Sequence, residues 1–143
     1  HGERGLALRA LRASGYGAQA DYRIRAGTDV IVMIQLESGK ALDDAIAIST
    51  APGVDMAFIG PADLAANLGL EGPEHQDKFR NLVDDKVREL RRAGVMVGTV
   101  PYGGHSTRSL VEVGVQLFIT GSDIGIMSAG MKQFCVQSAS ESY

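Results

Sequence analysis

An α/β fold with a parallel sheet is what this sequence predicts, on three observations. Four short, β-rich apolar runs begin at Val30, Asp55, Val95 and Gln116, and a segment of helical periodicity follows each. Glycine or proline marks the junctions, as at Gly53, Gly60-Pro61, Gly94, Gly114 and Gly121, where it ends one element and frees the next. Strict alternation with short connections sets the strands side by side and parallel, with helices outside. Four βα units amount to half of a TIM barrel, which needs ~250 residues. An open, four-stranded doubly wound sheet satisfies the same pattern.

Residues 1–17 are rich in Arg, Gly and Ala, with leucines too irregular for a sustained helix. A loop with a turn or two of helix is expected there, then a short helix over 18–24. Arg4, Arg9, Arg12, Arg23 and Arg25 read as a solvated face. Val30 to Leu36 forms the first predicted strand. Ser38 can cap a helix over 39–49, whose Leu42, Ala45, Ile46 and Ser49 share one face. The second strand runs from Asp55 to Ile59, followed by a short helix over 64–67.

Pro73 suits the first turn of a long helix reaching Ala93. Its Phe79, Leu82, Val83, Val87 and Leu90 make an apolar stripe, and Gly94 stops it. Val95 to Val100 is the third strand. Ser106 can cap a helix to Val113, Gln116 to Thr120 is the fourth strand, and a last helix covers 124–136.

Composition bounds the rest. The chain has 143 residues, enough for one core in one domain. A net charge of −3 gives no polybasic footprint for nucleic acid or acidic lipid. No apolar run approaches the ~20 residues of a membrane span. One cysteine, Cys135, cannot form an internal disulfide. It fits a reducing, cytoplasmic setting and is expected to pack the last helix. The chain opens on His1 and not Met, so the native start is expected to lie elsewhere.

Two apolar runs end abruptly at acids. Glu37 follows Val30–Leu36, and Asp63 follows Phe58-Ile59-Gly60-Pro61-Ala62. The C-terminal ends of parallel strands are where α/β proteins place their chemistry. Gln35 and Glu37 are two residues apart and project to one side. Two carboxylates, waters and a bidentate small molecule complete an all-oxygen octahedral shell suited to magnesium or manganese, with cobalt also admissible. Gln35 is then left to donate to a substrate, and the N–H groups of Ala62 and Asp63 offer a seat for a carboxylate anion. Each residue also has an ordinary structural role open to it. Asp63 can simply cap the helix at Leu64, Glu37 can face a helix dipole, and Gln35 can bond a neighbouring loop. Zinc, dinucleotide and P-loop motifs are absent.

Val32-Met33-Ile34-Gln35-Leu36-Glu37-Ser38, followed by Phe58-Ile59-Gly60-Pro61-Ala62-Asp63-Leu64, resembles the paired signature of the HpcH/HpaI aldolase/citrate lyase family. The closest likeness is to its 4-hydroxy-2-oxoheptanedioate and 2-dehydro-3-deoxyglucarate aldolases. Gly2-Glu3-Arg4-Gly5 and Arg12-Ala13-Ser14 resemble the segment those enzymes carry just upstream. The resemblance implies the C-terminal half of a TIM (β/α)8 barrel. It implies that Glu37 and Asp63 bind the divalent metal, and that Gln35, Ala62 and Asp63 contact a small 2-oxo acid substrate. It further implies a homo-oligomer. The family's catalytic histidine, the acid that tunes it and the arginine on the keto oxygen belong to the other half. His1, His75 and His105 match none of them, and only His105, in a loop above the third strand, is placed to reach the site. Lys40, Lys78, Lys86 and Lys132 all fall on expected helices, so imine chemistry is disfavoured.

Overall fold

The computed structural model describes residues 7–140. The chain divides into two units, residues 1–32 and 33–143. Gly2-Glu3-Arg4-Gly5 lies outside the described residues.

The first unit is a run of turns. Single 3-10 turns cover Leu8–Ala10 and Arg12–Ser14, and helix α1 spans only Tyr22–Arg25. The helix expected over 18–24 is thus shortened, because the backbone ahead of it is already committed to turn bonds such as Gln19 N–H to Ser14 O. Ser14 is buried, and its hydroxyl bonds the Leu8 and Leu11 carbonyls. Arg9, Arg12, Arg23 and Arg25 are exposed as expected. Arg25 pairs with Asp21 and Asp29 in water, where such pairs contribute little.

The second unit holds a four-stranded sheet of β1 (Met33–Leu36), β2 (Met56–Ile59), β3 (Met96–Thr99) and β4 (Leu117–Phe118). All pairings are parallel and the strands lie in sequence order. The intervening helices are α2 (Gly39–Asp43), α3 (Ala45–Ser49), α4 (Pro61–Leu68), α5 (Gln76–Arg92) and α6 (Thr107–Val113), with α7 (Asp123–Ser140) last. This is the arrangement of four βα units of a (β/α)8 barrel.

Alternation along the strands decides what each residue faces. Ile34, Leu36, Ala57, Ile59 and Val97 turn to the helix layer and join Leu42, Ala45, Leu64, Phe79, Val83, Val87, Leu90 and Leu110 in one core. Met33, Gln35, Phe58, Gly98 and Leu117 turn to the other face. There Phe58 lies across Gly98, where a Cβ would come within 3.0 Å of its ring.

Several boundaries differ from expectation. β1 starts at Met33 and not Val30, because Met33 already pairs with Met56, the first residue of β2. Val30, Ile31 and Val32 are exposed. Asp44 leaves helical dihedrals and divides the helix over 39–49, which sets two acids ahead of α3, where its dipole favours them. Leu42, Ala45 and Ser49 are buried, while Ile46 and the stripe residue Leu82 remain partly exposed. Ser38 and Ser106 cap their helices as expected. Cys135 is exposed, against the packing role expected of it.

Candidate functional site

The expected site residues gather at the C-terminal ends of β1 and β2. Register places Gln35 opposite Phe58 and Leu36 opposite Ile59, so Glu37 falls beside Gly60. The Glu37 side chain lies over that glycine. A Cβ built on Gly60 would sit 2.5 Å from Glu37 Oε1 and 2.7 Å from its Cγ. Gln35 Nε2 donates to Glu37 Oε1 at 2.9 Å, which leaves Oε2 of that carboxylate free of any hydrogen bond among the described residues. The next turn is pinned as well, since Gly39 N–H bonds Asn67 Oδ1 on α4 at 2.9 Å. The Glu37 carboxylate is therefore tied by Gln35, and the backbone two residues further on is pinned to α4.

Asp63 is not the cap of a helix beginning at Leu64. The helix begins at Pro61, with Gly60 as N-cap, and Asp63 is a third-position acid in its first turn. Proline suits the first helical position because its missing N–H would have had no partner there. The first intrahelical bond runs from Leu64 N to Gly60 O. The N–H groups of Ala62 and Asp63 consequently have no helical acceptor, and no side chain caps them. They are donors left open at the positive end of the dipole, the kind of position where an anion can be held. Asp63 is exposed and makes no ion pair among the described residues.

The donor set fits a hard divalent cation. It offers the oxygens of two carboxylates, Glu37 and Asp63, paired with no lysine or arginine among the described residues, with room for solvent on the exposed side. No group of three or more His, Cys, Asp or Glu that could hold a metal occurs among the described residues. Any cation here would thus rest on two carboxylates.

His105 is not turned toward this site. Its Nε2 lies 3.0 Å from Asp84 Oδ1 and its Nδ1 2.9 Å from Ser109 Oγ. The ring is held between α5 and α6, because a buried carboxylate there requires donors. Asp84 is 7% exposed and also accepts from Tyr102 Oη at 2.7 Å. Burial, and then that carboxylate, push the Tyr102 hydroxyl far above its ordinary pKa, so it remains a donor. Ser109, His105 and Asp84 stand in a line, yet the Ser109 hydroxyl also lies 3.0 Å from the Ser106 carbonyl inside its own helix.

Thr99 is a functional neighbour that the strand pattern alone does not single out. It is fully buried at the end of β3, and its hydroxyl bonds the Ile59 carbonyl at 2.9 Å, the last of β2 before Gly60. A lone threonine closing an apolar run was the available signal. The four lysines lie on α2, α5 and α7, as expected. No described helix is long and apolar enough to cross a membrane.

With this geometry in place, comparison with known proteins is informative. Residues 5–129 match the family described as HpcH/HpaI aldolase/citrate lyase. A hydroxypyruvate/pyruvate aldolase of Paraburkholderia phytofirmans is 33% identical over 132 residues, covering 92% of this chain and 50% of that protein. A 2-keto-3-deoxy-L-rhamnonate aldolase of Escherichia coli is 28% identical, covering 93% of this chain and 50% of its own. The crystal structure of an HpcH/HpaI aldolase/citrate lyase family protein from Burkholderia cenocepacia superposes with a TM-score of 0.78 at 31% identity. It covers 96% of this chain and 53% of that one. The chain spans about half the length of the relatives it matches.

Proposed function

This chain belongs to the HpcH/HpaI aldolase/citrate lyase family, and on that premise we propose that it carries the metal- and substrate-binding half of a divalent-metal-dependent aldolase. The reaction is reversible cleavage of a 4-hydroxy-2-oxo acid to pyruvate and an aldehyde. Glu37 and Asp63 hold the cation, magnesium or manganese. The N–H groups of Ala62 and Asp63 orient the substrate carboxylate at the start of α4. Gln35 keeps the Glu37 carboxylate in place and offers its remaining N–H to the substrate. When bound, the cation supplies the Lewis acidity that favours negative charge on the 2-oxo oxygen as the carbon–carbon bond breaks. The base that takes the 4-hydroxyl proton lies outside these residues. The same reading takes the protein as a cytoplasmic homo-oligomer.

The observation that carries this reading is Glu37 folded over Gly60 and tied to Gln35, one turn from the open N–H groups of α4. Coverage of only half of each relative favours a narrower second reading of the 143-residue chain, which binds metal and pyruvate without turnover. Mn2+ titration followed by electron paramagnetic resonance, with a pyruvate-release assay alongside, tests both. Loss of an outer partner costs a metal site about 10–100-fold, so Glu37→Ala should weaken Mn2+ by more than about 100-fold. Unchanged Mn2+ affinity in that variant refutes the site. Binding without pyruvate release selects the narrower reading.

A further inference from the structure

We propose that Asp84 is a positioning residue for the loop of residues 100–106. Acting through Tyr102 and His105, it holds this loop in one conformation at the mouth of the sheet, so that a 2-oxo acid anion beside Gly60–Asp63 is bound tightly only while the loop is held. The anion's identity rests on the aldolase reading; the clamp itself does not.

The loop leaves the C-terminal end of β3, the end of the sheet at which Glu37 and Gly60 lie on the two preceding strands. Three of its residues, Tyr102, Gly103 and His105, are tied to the helix layer. Tyr102 is buried, packs edge-on against Phe79 and His105, and donates to Asp84. His105 Nε2 reaches the same carboxylate at 3.0 and 3.2 Å. On its other side the ring's Nδ1 lies 2.9 Å from Ser109 Oγ on α6, so the imidazole is held from both helices. Between them, Gly103 O accepts from Arg80 Nη1 at 3.4 Å. Gly103 has φ +55°, and a Cβ there would come within 2.8 Å of the Arg80 side chain. Where the loop begins, Thr99 bonds Ile59 O, one residue before Gly60, the N-cap of α4.

Sealing α5 against α6 does not require this cluster. An apolar side chain in place of Asp84 would do so at less desolvation cost. What one carboxylate oxygen shared by two loop donors adds is direction. Only Arg88, 3.8 Å from Asp84 Oδ2, brings a second charge to the group among the described residues.

Asp84→Asn and Tyr102→Phe in the 143-residue chain test this, with Asp85→Asn as control, since Asp85 is exposed on the same helix and pairs with Arg88. Amide hydrogen exchange should rise at least about tenfold across residues 100–106 in both variants, while β2 and α4 keep their protection. Pyruvate binding to the Mn2+-loaded chain should weaken about tenfold, because a displaced contact costs orientation, whereas Mn2+ affinity itself stays within about twofold. General destabilisation would weaken both together. Unchanged loop exchange overturns the proposal, as does a loosened loop with pyruvate bound as in the wild type. A wild-type chain that ignores Mn2+ or pyruvate refutes the aldolase reading, and exchange alone then decides whether Asp84 positions the loop. Should Asp84→Asn fail to fold, Tyr102→Phe carries the same comparison.

Discussion

The two faces of this sheet are made from alternate residues of the same strands, and they differ sharply along β1 and at the start of β3, whereas β2 is buried on both. Leu36, Ile59 and Val97 are wholly buried under helices. On the opposite face Met33 is 38% and Met96 47% exposed, and Gln35 is open to solvent. The covered face derives its stability from apolar area removed from water. The open face instead carries Gln35 and then Glu37, which a dry core would not tolerate unpaired. A one-residue shift in register would exchange the two sets. The alternation that builds the core therefore also delivers the carboxylate to the mouth.

Three substitutions probe this contrast. Leu36→Ala, on the covered face, should cost about 2–5 kcal/mol in a urea unfolding curve, because the cavity it leaves is fully enclosed. A loss below about 1 kcal/mol would mean that the two faces are not energetically distinct. Gly60→Ala separates site from fold. Its φ of −89° suits alanine, but the new methyl meets Glu37 Oε1 at 2.5 Å, and that flexible side chain would swing aside. Stability should fall by less than about 1 kcal/mol, consistent with alanine at an N-cap, while Mn2+ affinity drops about tenfold. Equal losses in both would merge site and fold. Met96→Thr on the open face should stay within about 0.5 kcal/mol of wild type by thermal melting, as expected for a surface position.

The order of elements could be read directly because each periodicity was clean and glycine or proline stood at most junctions. Strand length could not. β1 extends only as far as β2 offers partners, a fact about two segments and not one. The start of α4 lies three residues earlier than the pattern after Gly60-Pro61 suggests, because Pro61 starts the helix as well as breaking the strand. Glu37 and Asp63 were legible as acids ending apolar runs. Asp84 was not, because it sits beside Val83 and Val87 on a helix whose stripe explains itself. Its partners Tyr102 and His105 lie across a strand and a loop, and only their meeting gives the three a joint role.

One feature of the topology reaches beyond the folded state. Among the described residues, each strand after β1 pairs with the strand before it in the chain, and none is inserted between earlier ones. Each ladder can therefore close as soon as its own βα unit has emerged from the ribosome, without waiting for distant sequence. The slowest closure should be the one spanning α5, from Met56 to Met96, which encloses the longest loop. Biogenesis can thus proceed vectorially, with the carboxylate end of β1 in place before the last helix is synthesised.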